Sequence, residues 1–324
     1  LLTIGKNPIA NTKFFKGKID EVRVFNIALT DAQLQRMVYQ EIQNTGSQVR
    51  GTIVPKDVGS LPFVNLLRYY RMDAYKDDII DDLTTVGIDI GTGMKIYNNK
   101  NIYLQQAPMP FITERAGDFA TAVNSPWKEI RGMDIMDYDW SIVNVKHNIT
   151  EVSNNIDLGM IVDPAVNIVM NNDTKIQNDW YLKLDGKIDL QGKSQLVQTV
   201  NSDLDTTSSG SIERDQQGQS NLYNYNYWSS PVGPINSIIN NTNYTFGGGF
   251  KDGTNPAKPV NINWVGGYNG SPGTPISSAR YWIFKFQNLS NAYANWSQVL
   301  ETGSLAPAQG FTLKGSGSAG ATQN

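Results

Sequence analysis

Between residues 148 and 214, short apolar segments recur about every ten residues, with Asn, Asp or Gly between them. These segments cover residues 157–162, 167–170, 180–184, 187–190, 195–200 and 211–214. A shift of about twenty residues brings 166–169 close to 187–190, which indicates a repeated unit. Short strands at regular spacing with turn residues between them predict a right-handed β-helix or a β-solenoid-like sheet of about three rungs.

The amino-acid composition excludes several classes of protein. The chain has 324 residues, of which 40% are hydrophobic, so two or three domains can each bury a core. Only 18% of residues are charged and the net charge is −3, which argues against a nucleic-acid-binding protein. No apolar run is long enough to predict a transmembrane segment. The absence of cysteine excludes disulfides, thiolate catalysis and zinc sites built from Cys.

The first 41 residues predict a strand, a loop, a second strand and a helix. Residues 2–5 form the first predicted strand, and the alternation of apolar and polar residues over 14–25 predicts the second. Thr30 is a good N-cap for a short amphipathic helix, with Asp31 in its first turn and Leu34 on its apolar face. Most of the predicted elements are strands and the predicted helix is short, which indicates an all-β protein.

Two motifs in this region resemble a known family. Residues 15–26 read FKGKIDEVRVFN, and residues 28–32 read ALTDA. Together they resemble the closing strands of a laminin-G-like, concanavalin-A-like jelly roll. The resemblance implies that the rest of the sandwich lies upstream of residue 1, and that the Asp20-Glu21 pair is chiefly structural.

A second resemblance runs from the predicted rungs to the end of the chain. Its motifs are 180–186 (WYLKLDG), 210–214 (GSIER), 227–232 (YWSSPV), 281–284 (YWIF), Trp296 and 307–313 (PAQGFTL). They resemble a module of long exported proteins of gliding and related Bacteroidota, which use the type IX secretion system. This resemblance implies export to the outer surface of a Gram-negative cell, a translocon and outer-membrane proteins as partners, and a module that continues past Asn324.

These patterns predict five segments. The predicted fold is the end of a jelly-roll sandwich, then β-sandwich or β-solenoid-like rungs, then a further β module. The predicted boundaries are 1–41 for the jelly-roll end, 42–65 for a linker, 66–147 for a β-rich module, 148–232 for the rungs and 233–324 for a β-rich module that precedes a secretion signal.

Few residues are candidates for catalysis. His147 is the only histidine and no nucleophile-elbow motif accompanies it, so a structural or surface role is favoured. Asp134, Asp137 and Asp139, with Trp140 beside them, have a spacing that suits a carboxylate pair on a glycan-cleaving strand. A solvated strand face explains the same spacing and is the favoured interpretation.

Calcium and glycosylation are the other site predictions. Asp77, Asp78, Asp81 and Asp82 offer hard oxygen ligands for calcium in a short span, although the EF-hand pattern is missing and a charged turn explains them as well. Residues 251–255 contain Asp-Gly and most simply predict a turn. Within the resemblance to Bacteroidota proteins, Asp205-Thr206-Thr207 fits an O-glycosylation acceptor at Thr206.

Aromatic residues are frequent in the last hundred positions. If exposed, Trp228, Trp264, Trp282 and Trp296 would stack on sugar rings, whereas burial in a β core is expected for most of them. The jelly-roll resemblance, the predicted rungs and the lack of a convincing catalytic set imply a non-catalytic adhesin or glycan-binding stalk, in which the upstream sandwich would bind a surface polysaccharide or a protein and the rungs would act as a spacer. Two alternatives stay open: an accessory region of a polysaccharide-degrading enzyme whose catalytic domain lies outside this chain, and translocon cargo captured in an assembly.

Overall fold

The computed structural model describes residues 2–10, 12–85, 91–97, 110–122, 141–239, 241–287, 295–320 and 322–323. The chain forms two compact units. The first contains the described residues up to Phe111 together with Ser141 and Ile142, and the second contains the described residues of 112–122 and 143–323. The prediction of an all-β protein is confirmed, since helices are few and short.

The described residues of the first unit form one helix and small antiparallel sheets. Its elements are β1 (Val22–Phe25), α1 (Asp31–Val38), β2 (Ile42–Thr45), β3 (Gln48–Gly51), β4 (Asp57–Pro62), a 3₁₀ turn (Phe63–Asn65), β5 (Leu66–Tyr70), β6 (Tyr75–Lys76), β7 (Ile79–Asp81) and β8 (Gly93–Lys95). Strand β1 pairs with β5, β2 to β4 form a meander, and β6 to β8 form a three-stranded sheet.

The predicted helix is confirmed, including its start. The backbone N–H of Gln33 donates to the Thr30 hydroxyl at 3.3 Å, and the Gln33 side chain accepts from the Thr30 N–H at 3.0 Å. This capping box satisfies two backbone donors that a helix N-terminus leaves free. The strand predicted over 14–25 is shorter, because only Val22–Phe25 pairs with a neighbour. Residues 2–5 form no strand, and an isolated bridge joins Asn7 to Thr12 later in this segment.

The segment 42–65, interpreted from its polar composition as a linker, is folded into the meander. Val49, Val58 and Leu61 have no exposed surface and pack in one cluster with Met37 and Tyr69. Polar residues alternate with these apolar ones and face outward, which is why the segment has a polar composition although one side of it is core.

The elements between residues 111 and 214 build a solenoid, which belongs to the second unit apart from Phe111 and Ile142. They are β9 (Phe111–Ile112), α2 (Phe119–Ala122), β10 (Ile142–Val145), β11 (Ile149–Glu151), β12 (Asn155–Val162), β13 (Asn167–Met170), β14 (Lys175–Leu184), β15 (Lys187–Leu190), β16 (Gln195–Gln198), β17 (Asp203–Leu204) and β18 (Ser211–Arg214). One sheet has the order β16–β14–β12–β10–β9, with β17 also beside β14, and the other has the order β11–β13–β15–β18.

The solenoid strands whose pairing is described run parallel to their neighbours. This confirms the predicted stacking of rungs. Ile149 pairs with Ile168, and Ile168 pairs with Ile188, so that like residues lie above one another at offsets of 19 and 20 residues. All three isoleucines are fully buried. Gly186 and Gly210 also stack, and a Cβ on Gly210 would collide with the Gly186 carbonyl oxygen. The repeat therefore needs isoleucine inside the rung and glycine at this turn.

A polar ladder crosses the solenoid core. Asp157 pairs in register with Asn178, whose side-chain amide donates to Asp157 Oδ1 at 2.6 Å. Ser202 donates its hydroxyl to Asn178 Oδ1. Within the described part of the chain, Asp157 Oδ2 has no hydrogen-bond partner, although the residue is fully buried. Burial raises the pKa of Asp157 well above its ordinary value, because desolvation disfavours the carboxylate.

The remaining elements of the second unit form a module with an aromatic core. They are β19 (Gly218–Gln219), β20 (Tyr225–Trp228), β21 (Tyr244–Thr245), α3 (Phe246–Gly249), β22 (Lys251–Asp252), β23 (Val260–Asn261), β24 (Asn263–Val265), β25 (Ser277–Ala279), a 3₁₀ turn (Arg280–Trp282), β26 (Phe284–Phe286), β27 (Trp296–Gln298), β28 (Ser304–Leu305), β29 (Phe311–Lys314) and β30 (Thr322–Gln323). Its main sheet has the order β20–β29–β26–β27.

Candidate functional site

Strand β20 places two tyrosines on the outer side of the module. Successive side chains of a strand point to opposite faces, so Asn226 and Trp228 share one face and Tyr225 and Tyr227 the other. Asn226 is buried and Trp228 packs against the module's core, next to Phe250 at 5.8 Å between ring centroids. Tyr225 and Tyr227 therefore lie on the outer face, where Tyr227 is 70% exposed.

The 3₁₀ turn Arg280–Trp282 adds two further rings, of which that of Trp282 lies next to Tyr225. The Thr312 hydroxyl, on β29, donates to the Trp282 carbonyl at 2.9 Å and fixes the turn to the sheet. Trp282 Nε1 donates to the Tyr268 carbonyl oxygen at 2.6 Å, which brings Tyr268 alongside. The Trp282 ring centroid lies 4.8 Å from that of Tyr281, 5.9 Å from Tyr268 and 6.0 Å from Tyr225.

A lysine is held against these rings. Lys314 is the cross-strand partner of Tyr225 in the antiparallel pair of β20 and β29, so both side chains lie on the same face. Its Nζ lies 3.6 Å from the centroid of the Trp282 ring and 5.3 Å from that of Tyr225. Both distances are within the range of a cation–π interaction, which orients the ammonium group on the ring face.

We call Tyr225, Tyr227, Tyr268, Tyr281 and Trp282, together with Lys314, the aromatic platform. Tyr268 is 62% exposed and Tyr281 40% exposed, so ring surface is open to solvent. Aromatic rings present an apolar face beside a polar hydroxyl or indole N–H. Such a surface can stack against the C–H face of a sugar ring while hydroxyls and amides bind the sugar's own hydroxyls.

The structure separates the four tryptophans that the sequence offered as candidate sugar-stacking residues. Trp228 and Trp264 pack against the core cluster around Phe246, and Trp296 packs against Phe286 at 5.2 Å. Of the four tryptophans only Trp282 belongs to the platform. Sequence reasoning missed the tyrosines and Lys314, although the alternation over 225–228 could have assigned Tyr225 and Tyr227 to the outer face.

The four aspartates proposed as a calcium loop have separate local roles. Asp78 pairs with Lys95 at 2.9 Å on the surface. Asp81 is buried and accepts from the backbone N–H groups of Gly91 and Thr92 at 2.8 and 3.2 Å. Asp82 accepts from Tyr69 N and the Thr84 side chain and pairs with Arg68, while Asp77 is an exposed turn residue with a positive φ of 55°.

Among the described residues, no three or more His, Asp or Glu side chains converge as metal ligands. Calcium at residues 77–82 stays a prediction.

Thr206 lies half-buried in a turn after β17, next to Asp205, which accepts from the N–H of Thr207 at 2.8 Å. Its glycosylation also stays a prediction.

The catalytic candidates are placed as follows. His147 Nδ1 donates to the Thr113 carbonyl at 2.9 Å, and the His147 N–H donates to the Thr113 hydroxyl at 3.1 Å, so the histidine ties two loop segments together. Asp134, Asp137, Asp139 and Trp140 lie outside the described residues.

The first unit has an open cleft of about 550 Å³, lined in part by Glu41, Tyr69 and Arg71. Burial raises the pKa of Glu41, and its carboxylate pairs with Arg71 at 3.0 Å. Nearby, Glu21 accepts from the Tyr69 hydroxyl at 2.8 Å and pairs with Arg23. Each glutamate is thus held by an arginine, an arrangement that suits an ion-pair network rather than proton transfer.

Arg23 also donates to the Met37 and Gln40 carbonyls at 2.7 Å each, at the C-terminal end of α1. The Glu21-Val22-Arg23 motif thereby fastens strand β1 to the helix. This supports a structural role for Glu21.

Comparison with known proteins finds no match: no protein-family model, no curated protein and no solved structure is similar to this chain. Within the described residues, no helix has the length and apolar character needed to cross a membrane.

Proposed function

We propose that this chain is a non-catalytic, glycan-binding segment of a secreted cell-surface protein, and that the aromatic platform is its binding surface. The observation that carries the proposal is the cluster of partly exposed rings of Tyr268, Tyr281 and Trp282 beside Tyr225. Neighbouring rings on one face suit a chain of sugars better than an isolated small molecule, since successive sugar units can stack on successive rings.

The solenoid suits the role of a stalk in the same protein. Its parallel rungs repeat a short unit, so the structure extends by stacking and not by enlarging one core. In this proposal the rungs are a spacer and the C-terminal module is the binding element. Export by a type IX translocon to the outer surface of a Gram-negative cell, as part of an adhesin, is the cellular setting that the sequence resemblances favour.

Affinity electrophoresis through gels that contain single polysaccharides tests the proposal. The Tyr281→Ala and Trp282→Ala variants are each expected to lose about tenfold or more in affinity, because each removes stacking surface. Tyr281 is the cleaner probe, since Trp282→Ala also removes the indole N–H that donates to the Tyr268 carbonyl oxygen and the ring on which Lys314 rests.

The matched control is Tyr97→Ala in the first unit. Tyr97 is 74% exposed and has Lys95 Nζ 5.8 Å from its ring centroid, so it reproduces the aromatic and lysine chemistry outside the platform. Its retardation is expected to equal that of the wild type. Failure of a broad set of plant, algal and bacterial polysaccharides to retard the wild-type chain, or equal losses in Tyr97→Ala and Tyr281→Ala, would refute the proposal.

A further inference from the structure

Charge is unevenly distributed along the chain. The whole chain has a net charge of −3, but residues 216–324 have a net charge of +3, which leaves −6 for residues 1–215. The charged residues of the C-terminal stretch are Lys251, Asp252, Lys258, Arg280, Lys285, Glu301 and Lys314. The part of the chain that carries the platform is therefore basic within an acidic protein.

Both carboxylates of this stretch have partners other than its lysines. Asp252 is 1% exposed and accepts from the Ile276 N–H at 2.8 Å and from the Thr254 N–H at 2.9 Å. Glu301 pairs with Arg280 at 2.8 Å. The stretch therefore offers no carboxylate to neutralise its lysines.

Lys314 is the lysine that lies on the platform. Among the described residues no carboxylate lies within ion-pair distance of its ammonium group, which rests on the Trp282 ring. A cation–π contact orients an ammonium group but leaves its other N–H donors available to a ligand. An anionic group next to the rings would meet an oriented cation that no protein carboxylate neutralises.

We propose that the aromatic platform selects acidic polysaccharides, with a uronate carboxylate or a sulfate paired to Lys314 while the sugar ring packs against Tyr268 and Tyr281. This inference rests on the proposed glycan binding and names the class of glycan. The acidic group supplies the charge complementarity, and the ring supplies the apolar face. Binding is then expected to weaken as salt is added, because the pair lies near the surface.

Polygalacturonate and its fully methyl-esterified form make a matched pair of probes, since they differ in charge but not in backbone. We expect the wild-type chain to bind polygalacturonate at least tenfold more tightly than the ester. A sulfated galactan is the second acidic probe. Whichever acidic probe binds more tightly identifies the carboxylate or the sulfate as the preferred group.

The variant Lys314→Met keeps the aliphatic stem against Trp282 and removes the charge. It is expected to bind the acidic probe about tenfold more weakly and the ester with unchanged affinity. The control Lys258→Met removes the same charge from an exposed loop of the module and is expected to keep the preference.

Three results would overturn the inference. They are equal affinity for polygalacturonate, the sulfated galactan and the ester, equal losses in Lys314→Met and Lys258→Met, and binding of single-stranded oligothymidylate as tight as that of the acidic glycan. The first leaves glycan binding intact and removes only the acidic selectivity. If no neutral or acidic glycan binds at all, the proposed function fails as well, so the two failures are distinguishable.

Discussion

Replacing Asp157 with asparagine is expected to stabilise the protein at neutral pH. Asparagine has nearly the same shape and keeps an oxygen to accept from Asn178, whose amide lies 2.6 Å from Asp157 Oδ1. It also removes the charge of a fully buried carboxylate, while the amide nitrogen that takes the place of Oδ2 is as unpartnered in the described structure as that oxygen was. A buried polar group without a partner costs about 1–3 kcal/mol, and more when charged. We therefore expect the free energy of unfolding to rise by about 1–3 kcal/mol at pH 7.

The sign of the pH dependence follows from the raised pKa of Asp157. Above about pH 4 the unfolded chain releases this proton, while the folded chain keeps it until the pH reaches the higher folded pKa. The folded state binds more protons over that interval, so the Asp157 contribution to stability falls as the pH rises and is constant above the folded pKa. Below about pH 4 the carboxyl group is protonated in both states, and the advantage of the variant is expected to vanish.

Urea unfolding of wild type and Asp157→Asn at pH 4, 5, 6 and 7 measures this difference. The control is Asp203→Asn on the exposed face of the same solenoid, for which we expect a small difference that does not follow the same trend. A difference between wild type and Asp157→Asn that is constant from pH 4 to pH 7 would show that the carboxyl group does not change its charge as argued. So would a destabilised Asp157→Asn variant at pH 7.

Three further substitutions, the first with its own control, test the core packing, the buried ion pair and the helix cap. Ile168→Ala, in the stacked isoleucine row, is expected to cost about 2–5 kcal/mol in urea unfolding, whereas Val200→Ala, at a side chain that is 97% exposed, is expected to change stability by less than about 0.5 kcal/mol. Arg23→Ala is expected to cost about 3–5 kcal/mol, because it leaves the buried Glu21 carboxylate without its cation; an unchanged thermal midpoint would contradict the anchoring role of this motif. Thr30→Ala is expected to cost about 1 kcal/mol through loss of the helix cap, and equal melting curves for variant and wild type would contradict it.

The strands of the solenoid could be predicted from the sequence because most of them pair with strands that lie only about twenty residues away in the chain. Strands Asn167–Met170, Lys187–Leu190 and Ser211–Arg214 have the bounds that the apolar pattern indicates. Partners in these sheets are separated by 19 to 24 residues, so the repeat in the sequence carries the pairing directly. The helix cap at Thr30 was predictable for the same reason, since a capping box spans only four residues.

The aromatic platform could not be assembled from the sequence. Tyr225 and Lys314 are neighbours only because β20 pairs with β29, about ninety residues later in the chain. Alternation within β20 indicates which side chains share a face, but it does not say which distant strand lies beside them or which loop covers that face. The same limit applies to residues 42–65, where composition indicates polarity and only the folded meander shows that Val49 and Val58 are core.

Paired residues of the solenoid are separated by 19 to 24 positions in the sequence, so the length of the solenoid can change in steps of one rung. Residues 171–190 span one rung, because Met170 pairs with Leu190 across neighbouring strands. Duplicating such a segment would present the same isoleucine row and the same hydrogen-bonding edges to the next rung, and would lengthen the stack by about 4.8 Å, the spacing between paired strands. Recombination between rungs can therefore change the length of the solenoid without any change in the residues at either end of the stack.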